Sequence, residues 1–432
     1  MDRSGCDEQP HKIVFTTPSV DGDSEVVVTL QEHKDPTKPP FLINVSKRPL
    51  EQQLSYCPPE QRKTHVIIST GSGDKCADAF FSSVVRPILE SIYGEKEVKG
   101  MKIHTTQSPT SILELTDDVL FPTANEGRPI RIILLSGDGG IVDLVNGLSS
   151  KSPNPQTYVP PQVVILPLGT ANALYHSMNA GGYNTWGLPA LGSWKSKPLS
   201  TFTATFSPGA IRLVDEGRQE QELPKDEHGN GIVHGAVVAS WGMHASLVGD
   251  SDTAEYRKHG VERFKMAAKE ALYPADGSPP HPYKGKVSIL KDDPDAVIQE
   301  GAQWTTLPEE QHMYVLATMV SHLEKPFCIS PKSQPLDGSM HLVHFGPRSG
   351  DAVMGIMNKA YDGGKHVDDE DVRYESIDGL RIEFEGKEDD GRWRRICIDG
   401  QIVRVEKDGW VEIRKAQVGK RGERVLDVVV VK

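Results

Sequence analysis

Asp138 sits between glycines in "SGDGG" (Ser136 to Gly140), directly after the apolar run "IRIILL". A carboxylate at the tip of a strand is well placed for two kinds of chemistry. It can take a proton from an attacking hydroxyl, or it can help hold a divalent cation against phosphates. The glycines around it suit a phosphate neighbour. They let the backbone come close to a ligand, and consecutive N–H groups at a strand-to-helix turn form an anion nest. The plainer reading is that Asp138 caps the helix that follows, but capping does not require glycine on both sides.

Two further turns have related character. "STGSGD" (Ser69 to Asp74) follows "THVIIS", and "PLGTAN" (Pro167 to Asn172) ends "QVVIL". One glycine turn is weak evidence for phosphate binding; three in one sheet are stronger. Other chemistries lack their signature. The histidines show no H-x-x-x-H or H-E-x-x-H spacing with a third ligand, and Ser136 lacks a G-x-S-x-G elbow. Trp241, Trp393 and Trp410 read as core residues.

The elements that must position these turns alternate. From about residue 62, strand and helix patterns follow one another: "THVIIS", a helix from Lys75, "MKIHTT", a helix that Ser108 could cap, "IRIILL", "IVDLVNGL", "QVVILPLGT" and "ANALYHSM". This predicts a parallel sheet with helices on both faces and ligands beyond the carboxyl ends of its strands. After about residue 200 short strands dominate, interrupted by one predicted helix in "DTAEYRKHGVERFKMAAKEAL". The expected fold class is α/β plus all-β. A β-rich extension covers residues 1–60, a nucleotide-type α/β domain 61–200, and a β-sandwich 201–432. The segment "GVERFKMAAKEALY" could line a lipid entrance or simply pack on the core.

Composition narrows the classes. The chain has 432 residues and a net charge of −12. That balance argues against general nucleic-acid binding, which needs a basic surface. No apolar run reaches bilayer-spanning length, and the amino terminus resembles neither a signal peptide nor a transit peptide. Cys6, Cys57, Cys76, Cys328 and Cys397 are scattered without metal-like spacing, which suggests free thiols. The protein reads as cytoplasmic, with peripheral contact at membranes left open.

The motifs then fall into a known order. "SGDGGIVDLVNGL", "LPLGTANAL", "SWGMHASLVGDSDTAEYRKHGVERFK" and "CIDGQIVRVE" resemble the signatures of the lipid kinase superfamily of diacylglycerol, ceramide and sphingosine kinases, most of all its sphingosine kinase branch. The resemblance covers residues 62–432. It implies an α/β catalytic domain of the diacylglycerol kinase type, a β-sandwich carrying the lipid pocket, and transfer of phosphate from ATP with Mg²⁺ to a lipid hydroxyl. A sphingoid long-chain base is the implied lipid, with diacylglycerol or ceramide as alternatives. By this resemblance Asp138 is the catalytic base. Ser69, Thr70, Gly71, Ser72, Gly73, Thr106, Ser136, Gly137, Gly139, Gly140, Thr170 and Asn172 fall on the ATP side. So do Asp252, Arg257, Arg263, Asp399 and Gly400. Asp399 and Gln401 are the implied metal positions. Ser246, Val248 and Asp250 are the alternatives for the residue that meets the lipid amine.

Several positions depart from the pattern. Ser69 and Thr70 replace Asn-Pro, Asp74 stands where the family has Lys, Ala171 replaces Gly, and Gln401 replaces Glu. These substitutions keep open a nucleotide- or lipid-binding pseudokinase. A soluble dinucleotide kinase fits less well, because the Trp241 to Phe264 segment belongs to the lipid branch.

Overall fold

The structure is a computed structural model that describes residues 11–50, 62–291, 304–416 and 424–431. Cys6 and Cys57 lie outside the described residues. Cys76, Cys328 and Cys397 are free thiols.

A six-stranded sheet carries the three glycine turns. Its strands run in the order Lys102–Thr105, Lys63–Ile68, Ile130–Ser136, Gln162–Pro167, Asp427–Val429 and Ser196–Pro198. The first five are parallel and the last is antiparallel to its neighbour. Ile130–Ser136 is buried along its whole length, as a strand covered on both faces must be, and this explains an apolar run without alternation. Arg131 is the charged exception. Its Nη2 donates to the carbonyls of Ala190, Leu191 and Ser193, and its guanidinium lies 4.3 Å from the Trp194 ring centroid.

Register decides where the turns go. Ile68 pairs with Leu135, and Ser136 pairs with Pro167. All three turns therefore leave the same end of the sheet side by side. Ser108 does not act as the helix cap: that helix begins at Ser111, with Thr110 as its N-cap residue, and Ser108 and Ser111 bond within the preceding turn.

The strands near the amino terminus need no partner sheet. Lys12–Pro18, Ser24–Gln31 and Phe41–Pro49 form their own antiparallel sheet. Its inner face, with Val26, Val28 and Leu30, packs into the core that holds Phe80, Ile88 and Leu89.

The remaining chain forms an eight-stranded and a six-stranded antiparallel sheet. Trp241 of the first sheet meets Phe384, which follows a strand of the second, at 5.4 Å between ring centroids. This is the expected sandwich. One strand breaks the sequence division: Asp427–Val429 returns to the parallel sheet beside Gln162–Pro167. The helix expected across Asp252 to Leu272 is broken too. It forms as Ala254–Arg257 and Glu262–Leu272, with Gly260 at φ 53° between them, a left-handed position that ends a helix.

Asn146, in the helix Asp138–Ser149, ties the two halves together. Its Nδ2 donates to the His234 carbonyl at 2.9 Å, and its Oδ1 accepts the His234 N–H at 2.9 Å.

Candidate functional site

The glycines of the turns divide by what surrounds them. A Cβ on Gly169 would lie 2.4 Å from the Gly137 Cα, and one on Gly137 would lie 2.7 Å from the Gly169 Cα. These two glycines exist so that two loops can touch. Gly140 is pressed on Ser136, and Gly73, at φ 47°, on the Leu168 carbonyl. Only Gly71 and Gly139 face open space. Of these two, Gly139 lines a cavity, so packing does not account for its missing side chain.

Polar side chains brace the loops. Asn172, at φ 55°, spends both ends of its amide on the Gly169 backbone, at 2.8 and 2.9 Å. It shapes the Gly169–Ala171 turn from beneath. Thr106 accepts the Thr70 N–H on its hydroxyl at 3.0 Å, and Thr70 donates to the Thr106 carbonyl at 2.9 Å. Ser72 bonds both Ser69 and Ser136, at 2.8 and 3.1 Å. Ser69, Thr70, Thr106 and Ser136 therefore act as bracing, while Ser72, Gly73, Gly137, Gly139 and Thr170 line the cavity with Ala171. Asp74 is exposed and off the lining.

Asp138 lines the same cavity. Its Oδ2 accepts the Ala173 N–H at 2.7 Å and its Oδ1 the Leu174 N–H at 3.1 Å. It therefore caps the helix Ala173–Met178 of the neighbouring loop and not its own helix. Burial pushes its carboxyl above the ordinary range, and the two N–H groups oppose this. Asp399 faces the cavity from the sandwich side, with Gly400 beside it. Its oxygens accept the N–H groups of Ala236, Val237 and Val238, the shortest at 2.6 Å. Burial pushes it up to about 7; the backbone bonds oppose this, and the Asp138 charge adds to the rise. Two acids thus meet across the cleft, close enough to feel each other. Gln401 follows, and its Oε1 is buried without a hydrogen-bond partner among the described residues.

The arginines converge despite the broken helix. Arg257 grips Asp252 through Nε and Nη2, each at 3.0 Å, and Arg263 Nη1 is 3.5 Å from the same carboxylate. Arg263 lines the cavity, and its Nε is buried and unpartnered among the described residues. That is a donor ready for a phosphate oxygen. Arg257 is half exposed and does not line the cavity.

The cavity measures about 680 Å³. Much of its wall is apolar, with Leu247, Phe264, Leu272, Tyr314, Phe327 and Met357. Phe264, Ala268 and Leu272 come from the segment that could line a lipid entrance or pack on the core, and here they line the cavity. Of the substrate-side candidates, Val248 lines the cavity and the other two do not. Ser246 accepts a bond from the Tyr283 hydroxyl at 2.8 Å. Asp250 pairs with Arg392 and Arg395, each at 2.8 Å. Among the polar lining residues that the sequence did not single out are His244, Lys265, Glu324 and Asn358. Burial pushes Glu324 up to about 7, partly offset by Lys265. His244 lies inside the quoted "WGMHAS" motif, where the histidine could have been questioned; no pattern singles out Glu324.

The site thus joins glycine turns, two buried carboxylates and apolar walls in one cavity. Among the described residues no cluster of three or more metal-ligating side chains forms, and no helix is long and apolar enough to cross a membrane. Comparison with known proteins agrees in kind. Residues 63–200 match the family described as the diacylglycerol kinase catalytic domain. Sphingosine kinase 1 of Homo sapiens is 23% identical over 364 residues, covering 80% of this chain and 87% of that protein. Sphingosine kinase 1 of Rattus norvegicus is 24% identical, covering 73% and 81%. The crystal structure of a diacylglycerol kinase from Bacillus anthracis superposes with a TM-score of 0.51 at 13% identity, over 85% of this chain and 96% of that one. This last likeness speaks for the fold.

Proposed function

We propose, from the premise that this chain is a sphingosine-kinase-like lipid kinase with a diacylglycerol kinase catalytic domain at residues 63–200, that it transfers the terminal phosphoryl group of ATP to the primary hydroxyl of a sphingoid long-chain base. One observation carries this reading: Asp138 and the glycine turns open into the same chamber as a long apolar wall.

Asp138 acts as the base. As the lipid hydroxyl oxygen bonds to the terminal phosphorus, its proton passes to the Asp138 carboxylate, and the bond to the bridging oxygen of ADP breaks. The backbone bonds from Ala173 and Leu174 fix the carboxylate so that a free lone pair faces the hydroxyl. Arg263 and the Gly137–Gly139 turn hold the phosphates. Asp399, on the cavity wall, would hold Mg²⁺, and Gln401, which is off the lining, would join it only by turning its buried oxygen inward; Mg²⁺ commonly takes one or two protein oxygens and completes its shell with phosphates and water. When bound, the ion would offset the negative charge of the phosphates.

Diacylglycerol or ceramide is the second reading. It is favoured by the absence of an acid at Ser246 and Val248 and by the pairing of Asp250 with two arginines. The test is a panel of sphinganine, ceramide and diacylglycerol with labelled ATP and Mg²⁺. Transfer to sphinganine at least about tenfold above the others is expected. Transfer to none of them by folded protein would overturn the kinase reading.

A further inference from the structure

A lipid kinase needs a polar partner for the head group beside the reacting hydroxyl, and the three expected positions do not supply one. Ser246 is taken by Tyr283, Val248 is apolar, and Asp250 is spent on arginines. His244 lies on the same short helix, Met243–Asp250, and lines the cavity while only 9% exposed. Its Nδ1 is 2.7 Å from the Ser240 hydroxyl. The thiol of Cys397, its partner on the adjacent strand, stands beside that hydroxyl and can serve as its acceptor. With Ser240 donating to sulfur, its oxygen accepts the His244 Nδ1–H. The remaining nitrogen, Nε2, then carries a bare lone pair and has no partner among the described residues.

The location is informative. Ser240 and Cys397 stand two residues from Val238 and Asp399, which are joined by the Val238 N–H bond to the Asp399 carboxylate. His244 therefore belongs to the end of the cavity near the acids. Its other neighbours are Leu247, Val248 and the edge-on ring of Tyr314 at 6.0 Å. Burial holds the ring neutral, down to about 4, so it remains an acceptor at physiological pH. Buried polar groups ordinarily find a partner, and here the cavity is the place left for one.

We infer that His244 Nε2 accepts a hydrogen bond from a donor carried by the lipid head group next to the phosphorylated hydroxyl, an ammonium or a second hydroxyl, and thereby selects such lipids over simple alcohols. This rests on the kinase reading for the identity of the reacting hydroxyl.

The test measures equilibrium binding, by tryptophan fluorescence, of the full chain to micelles containing one of four lipids. These are sphinganine, octadecane-1,3-diol, 2-aminooctadecan-1-ol and octadecan-1-ol. His244→Leu is expected to weaken sphinganine binding about tenfold or more and to leave octadecan-1-ol unchanged. His244→Gln, whose amide oxygen can accept, should recover part of the loss. A loss confined to the two amines assigns the ammonium; a loss confined to the two diols assigns the second hydroxyl. Equal weakening of all four lipids, no weakening of any, or no lipid binding by the unaltered chain would overturn the inference. Binding with the expected pattern but without phosphoryl transfer would overturn the kinase reading and leave this one standing.

Discussion

Asp138 and Asp399 approach each other from different layers, and each is answered by backbone N–H groups instead of by a cation. Like charges so placed resist ionising together. Removing one should ease ionisation of the other. The Asp138 charge adds to the rise at Asp399, so Asp138→Asn is expected to let Asp399 ionise at lower pH, read by NMR titration of its carboxyl carbon; an unmoved titration would mean that the two acids are not coupled. Asp399 also gains its charge only as pH rises through about 7, so the Mg²⁺ requirement should grow as pH falls below that value. Gln401→Glu adds a charge to the same segment and should lower the half-saturating Mg²⁺ concentration several-fold. Asp138 was legible in the sequence because a glycine turn at a strand end has few purposes. Asp399 and Gln401 came only through family resemblance. Glu324 was not legible, because a two-residue alternation on a three-residue strand, His322–Glu324, does not reveal what faces it.

The turns work as a set because two of them touch through glycine. A Cβ at Gly169 would strike the Gly137 backbone, where no flexible side chain can yield. Gly169→Ala is therefore expected to displace the Asp138 turn and to lower phosphoryl transfer by about 10² or more, while Gly139→Ala, which meets open space, leaves folding intact and weakens ATP binding instead. Kinetics with thermal melting would separate the two. The strands and turns were readable from their apolar runs and glycines. The break at Gly260 was not. A single glycine inside a helical pattern does not by itself say that the helix stops there; here Gly260 takes the left-handed conformation. The placement of Ser246 and Asp250 away from the cavity was hidden as well: helical spacing gives faces, and only the packed sandwich says which face meets the cavity.

At the scale of the whole molecule, two of the ties that hold the α/β layer against the sandwich are a side chain and a strand. Asn146 bonds the His234 backbone in both directions, so Asn146→Ala should cost about 1–3 kcal/mol in chemical denaturation. The second tie is the strand Asp427–Val429, which carries the end of the chain back into the parallel sheet. Sequence order assigned it to the sandwich, since an apolar strand does not name its sheet. The cavity is lined from both halves, by the two acids and by apolar side chains. Phosphoryl transfer initiated by Asp138 is the central claim. Its most direct test is Asp138→Asn, with transfer of labelled phosphate to sphinganine and calorimetric binding of Mg·ATP measured on the same preparation. Transfer should fall by about 10² to 10⁴ while ATP affinity stays within a few-fold. Unchanged transfer, or transfer and ATP binding lost in parallel, would contradict the role of Asp138 as the base.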